Sequence, residues 1–411
     1  MRHPRQEVFH VRSTLFSSWH RYLVQGTTTL LSTLCVLWLA GCSSTPPKKP
    51  APTPAPVVPG VLFNSQSSSL LTQWRDAVNN TTVGDEAWQQ LPGWSPEHAM
   101  SAWGAFRDSC QALMRSPGWR DVCQDAQHIN GQNPRTVQQF FESHFKPVRM
   151  LNDDGSSTGL ITGYYEPIMR GSTTRHGPYQ TPLYRYPIGT SIAKVNKPRA
   201  QLLKQGTLKG HEMLWVEDPV EAAFLHIQGS GRVILDTGKT IRVGFAGTNN
   251  QPFRSFARWL LDRHEISADQ ATMPGIRQWA KQHPNQVETM LNVNPRMVFF
   301  RELPLGEMPS TTGPVGALGV PLTPEHSIAV DPSRVPLGAP VFLSTTRPLS
   351  NEPIQKLVIA QDTGSAIKGP VRADFFWGHG DQAGETAGRM KQPGQMWMLI
   401  PKQLSGSPPR K

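Results

Sequence analysis

Three aspartates near the C-terminus lie in local sequences of the kind that can form an active site. Asp331, Asp362 and Asp374 occur in "AVDP", "AQDTG" and "VRADFFWG", among apolar residues and glycines. Burial among apolar side chains disfavours the charged form of a carboxyl group and raises its pKa. A carboxyl group with a raised pKa can donate a proton near neutral pH, so these stretches predict acid–base chemistry.

Asp374 is the strongest candidate for the proton donor. Alternate residues of a strand share a face, so Asp374 and Phe376 are expected to point the same way. The aromatic ring and a nearby Asp362 would both raise the pKa of Asp374. Asp331 precedes a proline and Asp362 lies in an Asp-x-Gly turn, where aspartates commonly accept backbone N–H bonds. We therefore predict supporting roles for Asp331 and Asp362.

The triplet Asp-Thr-Gly occurs twice, at 236–238 and 362–364, which is the pattern of aspartic peptidases. In those enzymes two carboxylates share one proton. The first copy lies in "GRVILDTGKTIRVG", whose apolar flanks predict the tip of a β-hairpin. Lys239 also stands where a serine or threonine would be expected. The sequence therefore argues against a peptidase.

The elements that must position these residues change in type along the chain. Helical patterns dominate from about 68 to 147, with Ser95 and Asn133 predicted as N-caps before prolines. From 159 the patterns are those of short strands, including "EAAFLHIQGSGRVIL" and "KTIRVGFAG", and a helical patch covers 253–292. Cys110 and Cys123 are either joined in a disulfide or are separate buried thiols, because spacing alone does not place them.

The N-terminus predicts export and attachment to lipid. Arginines precede the apolar run "TTTLLSTLCVLWLAG", which is short for a transmembrane helix and ends in small residues. The sequence "LAGC" resembles a bacterial lipobox, so we expect residues 1–41 to be removed and Cys42 to be acylated. Ser43 points to an outer-membrane lipoprotein that faces the periplasm. Residues 42–62 are proline-rich and predict a stiff, lipidated tether.

The charge of the chain is strongly basic. Formal net charge is +11, and the predicted leader holds four Arg and one Glu, so the mature chain keeps about +8. A basic surface suits a polyanion. An exported location argues against nucleic acid and leaves cell-wall polymer and lipid headgroups as candidate partners.

Five segments in order resemble the membrane-bound lytic murein transglycosylase A family. They are "ITGYYEP", "FLHIQGSGRV", "RVGFAGTNNQPFRS", "NPRMVFFRE" and the stretch 313–400, which resembles the 3D domain named for three aspartates. The resemblance implies a mainly β fold with an α-helical N-terminal part. It implies a double-psi β-barrel built from two chain segments, a smaller inserted β-rich domain, and a substrate groove between them.

The resemblance also implies domain boundaries. We expect a helical region and the first part of the barrel at 63–167, and the inserted domain at 168–295. The second part of the barrel, with the 3D domain, is expected at 296–402, followed by a disordered tail at 403–411.

The function implied is non-hydrolytic cleavage of the β-1,4 bond between N-acetylmuramic acid and N-acetylglucosamine in peptidoglycan, which leaves 1,6-anhydromuramic acid ends. The family's proposed acid/base aspartate matches Asp374. Two alternatives stay open, a murein-binding lipoprotein without activity and a hydrolase on the same barrel, which would need a second carboxylate poised for water. The implied glycan contacts are Thr162, Gly163, Tyr164, Gln228, Ser230, Ala246 and Gly247.

We predict no cofactor and no metal site, because His326 and His379 are not spaced as ligands. The expected partners are peptidoglycan glycan strands, the outer membrane through the lipid anchor, and cell-wall enzyme complexes.

Overall fold

The computed structural model describes residues 72, 74, 83–85, 87–116, 118–303 and 313–405. The predicted leader, the tether and residues 406–411 of the predicted tail lie outside the described residues, as does Cys42. Over the described ranges, no helix has both the length and the apolar character needed to cross a membrane.

Between residues 87 and 144 the chain forms four α-helices: α1 (Pro96–Ser101), α2 (Trp103–Leu113), α3 (Arg120–His128) and α4 (Pro134–His144). Both predicted N-caps are confirmed, because the Ser95 side chain accepts from the backbone of α1 and the Asn133 side chain from that of α4. Cys110 on α2 and Cys123 on α3 are joined in a disulfide, which decides between the two alternatives for these cysteines.

The described strands form two sheets. In chain order they are β1 (Val83–Asp85), β2 (Phe145–Met150), β3 (Gly159–Glu166), β4 (Ile168–Ser172), β5 (Thr181–Tyr184), β6 (Glu212–Val216), β7 (Ser230–Leu235), β8 (Thr240–Thr248), β9 (Val298–Leu303), β10 (Ser327–Val330), β11 (Pro340–Thr346), β12 (Pro353–Thr363), β13 (Arg372–His379) and β14 (Lys391–Pro401).

The remaining helices lie between or after these strands. They are α5 (Ile192–Val195), α6 (Arg199–Lys204), α7 (Pro219–Gln228), α8 (Phe256–Asp262), α9 (Met273–Gln282), α10 (Val287–Asn292), α11 (Gly380–Arg389) and α12 (Lys402–Ser405), with short 3₁₀ turns at Trp88–Gln90 and Pro284–Gln286.

The first sheet closes into a barrel. Its order is β1-β2-β14-β11-β12-β10-β13-β3, and β3 also pairs with β14, so the six strands from β14 round to β3 form a closed ring. The pairs β10–β12 and β13–β3 are parallel. Strand β3 comes from the first half of the chain and the other five from the last hundred or so residues. The prediction of a barrel built from two chain segments is confirmed.

The second sheet has the order β5-β6-β4-β7-β8-β9 and its own apolar core. Because β9 pairs with β8, the segment Val298–Leu303 belongs to this sheet. The pairing partner of the strand "VFFREL" decides which sheet it joins, and its local pattern does not.

The stretch "EAAFLHIQ" was predicted as strand, and this prediction is wrong. It forms α7, which starts with Asp218 as an N-cap and Pro219 at the first helical position. A short apolar run fits a buried helix as well as a strand. Here the N-cap and the proline favour the helix, which buries Phe224 and Leu225.

The predicted hairpin is confirmed, because β7 and β8 pair antiparallel with Ile234 opposite Thr240. Gly238 at its tip has a φ of 83°, a backbone conformation that glycine adopts without strain. Asp236 thus belongs to a turn of the second sheet, whereas Asp362 belongs to the barrel.

Candidate active site

Four residues form a row across neighbouring barrel strands. Asp362 on β12 and Asp374 on β13 are both in register with Ala329 on β10, and Asp374 is also in register with Thr162 on β3. Ala373 and Phe375 belong to the largest apolar core, which the barrel strands share with the N-terminal helices. Alternate residues of β13, including Asp374, therefore face away from that core.

The Asp374 carboxyl group is held by one of its oxygens. Thr162 Oγ1 donates to Asp374 Oδ1 at 2.6 Å, and Arg372 Nη2 donates to Thr162 Oγ1 at 2.9 Å. Asp374 Oδ2 accepts no hydrogen bond from the described residues. The side chain is half-buried, so one oxygen is oriented by the protein and the other is available to a ligand.

Burial raises the pKa of Asp374 above its ordinary value, and the hydrogen bond from Thr162 and the charge of Arg372 offset part of that rise. The protonated form therefore persists to a higher pH than in an exposed aspartate. A raised pKa together with an unengaged oxygen is what a general acid requires.

Asp362 is engaged by both of its oxygens. Ala317 N donates to Oδ1 at 3.0 Å and the Tyr164 hydroxyl donates to Oδ2 at 3.2 Å. Burial raises the pKa of Asp362 to about 6, and the charge of Asp374 adds to the rise. Asp362 is thus placed to position Tyr164.

The Tyr164 ring also contacts Phe376, with 5.1 Å between ring centroids. Burial and the two aspartates hold the pKa of Tyr164 well above its usual range, so its hydroxyl stays a hydrogen-bond donor. The structure therefore brings together Asp362, Asp374, Thr162 and Tyr164 from the predicted set.

Asp331 lies outside this group. Its Oδ1 accepts from the backbone and hydroxyl of Ser333, its Oδ2 accepts from Gly369 N, and Lys368 Nζ lies 3.7 Å away. Burial tends to raise the pKa of Asp331, but the hydrogen bonds from Gly369 and Ser333 hold it below its usual value. Asp331 is a charged residue that joins two loops.

The remaining predicted contacts lie around β3 and on the second sheet. Gly163 points to the opposite face from Thr162, and a Cβ there would lie 2.7 Å from Trp377 Nε1, so it allows close packing. Gln228 Oε1 accepts from Tyr165 N at 3.1 Å and ties α7 to β3. In the described ranges no hydrogen bond joins the aspartates to the other three, which lie on β7 and β8: Ser230, Ala246 and Gly247.

Two features of the site were not predicted. Arg372 contacts Thr162, and its position two residues before Asp374 in a strand is a sequence signal that places both on one face. Glu166 is fully buried between Arg232, at 2.8 Å, and Arg242, at 2.9 Å. The arginines are 66 and 76 residues away along the chain, so no local pattern shows this cluster.

The cluster of Glu166, Arg232 and Arg242 joins the barrel to the second sheet, because Glu166 ends β3 while the arginines belong to β7 and β8. Among the described residues, no three His, Cys, Asp or Glu side chains are grouped as metal ligands would be.

A closed barrel with a second sheet inserted between its two chain segments defines the class of this protein, and comparisons with known families name that class. The MltA specific insert domain matches residues 160–301, and the 3D domain matches residues 326–400. The membrane-bound lytic murein transglycosylase A of Escherichia coli K12 is 30% identical over 278 residues, which cover 66% of this chain and 72% of that protein.

Solved structures that resemble this chain are also lytic transglycosylases. The lytic transglycosylase LtgG of Burkholderia pseudomallei is 54% identical with a TM-score of 0.58, over 78% of this chain and 95% of its own. MltA of Neisseria gonorrhoeae is 34% identical with a TM-score of 0.68, over 80% and 94%. E. coli MltA with bound chitohexaose is 25% identical with a TM-score of 0.63, over 78% and 94%. The chain belongs to the membrane-bound lytic murein transglycosylase A family, which confirms the resemblance.

Proposed function

We propose that this protein is a lytic transglycosylase that cleaves the β-1,4 bond between N-acetylmuramic acid and N-acetylglucosamine in peptidoglycan without consuming water. The observation that carries the proposal is the Asp374 carboxyl group, held through Oδ1 by Thr162 and unengaged at Oδ2. Chitohexaose in the E. coli relative supports a glycan as the ligand.

Asp374 acts first as an acid. Its proton moves to the bridging oxygen as the glycosidic bond breaks, which leaves positive charge on C1 of the muramic acid ring. The Asp374 carboxylate then takes the proton of that sugar's C6 hydroxyl, whose oxygen bonds to C1. One carboxyl group therefore serves both steps and is regenerated, and the second step gains from both reacting atoms belonging to one sugar.

The surrounding residues support this cycle by position and charge. Arg372 and Thr162 fix the orientation of Asp374, and Asp362 holds the Tyr164 hydroxyl near the row. Because both oxygens of Asp362 are engaged, it is a poor candidate for binding the attacking water of a hydrolase. We assign the glycan contacts of the second side of the groove to Gln228, Ser230, Ala246 and Gly247.

The experiment is digestion of purified murein sacculi in water enriched in heavy oxygen, followed by mass spectrometry. Wild type should release 1,6-anhydromuramoyl products without label. Asp374→Asn should lose about 10²–10⁴-fold in activity, the usual contribution of a general acid, with an unchanged melting temperature. Asp236→Asn, in the hairpin of the second sheet, is the matched control and should keep full activity.

The other outcomes identify the alternatives. Labelled reducing ends would establish a hydrolase, and binding without product would establish a murein-binding protein. Near-normal turnover by Asp374→Asn would remove Asp374 from the role of acid.

We also propose that Cys42 carries the lipid and holds the protein on the periplasmic face of the outer membrane. The lipobox-like "LAGC" and the membrane-bound relatives support this location. Cys42→Ser cannot carry the lipid, so the protein should be lost from the outer-membrane fraction. Retention of this variant in the outer membrane would contradict the proposal.

A further inference from the structure

A lysine lies beside the row of site residues. Lys391, the first residue of β14, is in register with Thr162, which is in turn in register with Asp374 on its other side. Residues directly opposite in an antiparallel pair share a face, with Cβ atoms about 4.5–5.5 Å apart. Thr162 is therefore flanked by the proposed acid on one side and by a lysine on the other.

The direction of the Lys391 side chain follows from its neighbours on β14. A Cβ added to Gly394 would meet the Ile161 side chain, and Ile161 is part of the largest apolar core. Gly394 thus faces that core, and Lys391, three residues earlier in an unbroken register, faces away from it. This direction agrees with the exposure of Lys391.

Lys391 is not committed to another group. It makes no hydrogen bond or ion pair with any described residue, whereas Arg372, on the other side of Thr162, donates to the Thr162 hydroxyl. A lysine carries a compact charge and three donors on a flexible stem. Such a group can reach an anion bound next to Thr162.

We propose that Lys391 forms a carboxylate-binding subsite next to Asp374, which recognises an acidic group that the peptidoglycan strand carries close to the scissile bond. This inference rests on the proposed function. Two parts of the polymer supply that chemistry, the lactyl carboxylate of a peptide-free muramic acid and the acidic residues of a stem peptide. Chitohexaose supplies none, so it serves as a neutral ligand of the same groove.

The test measures dissociation constants in the Asp374→Asn background, so that no ligand is consumed. The three ligands are chitohexaose, glycan strands freed of peptides by an amidase, and glycan strands that keep their peptides. Lys391→Gln should weaken binding of a carboxylate-bearing strand about 3- to 10-fold, the range for an exposed ion pair or somewhat more, and leave chitohexaose unchanged. Lys391→Arg should retain the affinity, and added salt should shrink the difference.

Lys209→Gln, which removes the same charge from an exposed turn of the second sheet's domain, is the matched control. A loss confined to peptide-free strands would identify the lactyl carboxylate, and a loss confined to peptide-bearing strands would identify the stem peptide. Equal affinities of Lys391→Gln and Lys209→Gln for every ligand would overturn the subsite. That result would leave the proposed function standing if wild type still forms anhydro ends, so the two failures are distinguishable.

Discussion

Asp362 and Asp374 lie on the two strands that flank β10, and each is in register with Ala329. The charge of Asp374 adds to burial in raising the pKa of Asp362 to about 6. Two carboxyl groups that share one face of a barrel cannot both ionise without cost. The site therefore holds a proton at a pH where isolated aspartates would have lost theirs.

We expect the raised pKa of Asp362 to make the thermal stability of the protein depend on pH. Folding raises the pKa of the Asp362 carboxyl group, so protonated Asp362 stabilises the folded state. This contribution is complete at a pH below the pKa of the unfolded chain, and it is lost as the pH rises through about 6. The asparagine of Asp362→Asn cannot ionise. The melting temperature of this variant should therefore rise relative to that of wild type as the pH increases from about 4 to about 7.5. Thermal unfolding followed by circular dichroism measures the difference. A gap between variant and wild type that is constant across this range would contradict the expectation, and Asp236→Asn controls for loss of a carboxylate.

The hydroxyl of Thr162 should tune the acid. Its hydrogen bond favours the charged form of Asp374 and lowers that pKa, so removing it should raise the pKa. In Thr162→Val the alkaline limb of the kcat/KM profile, which the proposed mechanism assigns to loss of the proton from Asp374, should move to higher pH. The rate should also fall about 3- to 10-fold, as for loss of one orienting hydrogen bond. Thr162→Ser keeps the donor and should behave as wild type; an unmoved limb in the valine variant would refute the role.

The buried ion pairs of Glu166 with two arginines, which join the barrel to the second sheet, should contribute strongly to the free energy of unfolding. Glu166→Ala leaves Arg232 and Arg242 buried without their anion, which should cost about 3–5 kcal/mol in the free energy of unfolding. Denaturant unfolding measures this. Glu217→Ala removes the partner of Arg170 from an exposed pair and should cost about 0–1 kcal/mol. Similar losses in the two variants would show that burial does not control this ion pair.

The disulfide should matter for stability and not for catalysis. It links residues 13 apart in the helical region, and closing a loop of that size contributes about 2–4 kcal/mol. The double variant Cys110→Ala/Cys123→Ala should therefore melt earlier and keep the kcat of wild type at a temperature where both are folded. A large loss of kcat in the folded variant would mean that α2 and α3 act on the site.

Much of the molecule is readable from local patterns. Ser95 and Asn133 predict the starts of two helices because their side chains accept hydrogen bonds from backbone N–H groups of the first turn. The hairpin around Gly238 follows from two apolar runs separated by a turn. The helix α7 was misjudged because a short apolar run fits a buried helix as well as a strand.

The sequence by itself determined the family, because its motifs lie within short stretches, and the family resemblance implied the barrel in two segments; the role of Asp374 stays a prediction. Only the tertiary structure decided which groups touch that carboxyl. Thr162 is 212 residues from Asp374, and Tyr164 is 198 from Asp362. Their contacts depend on the register of β3 against β13 in a closed barrel, and a shift of one residue would turn every side chain to the other face. That register is fixed by packing across the whole ring of strands, which no local pattern encodes.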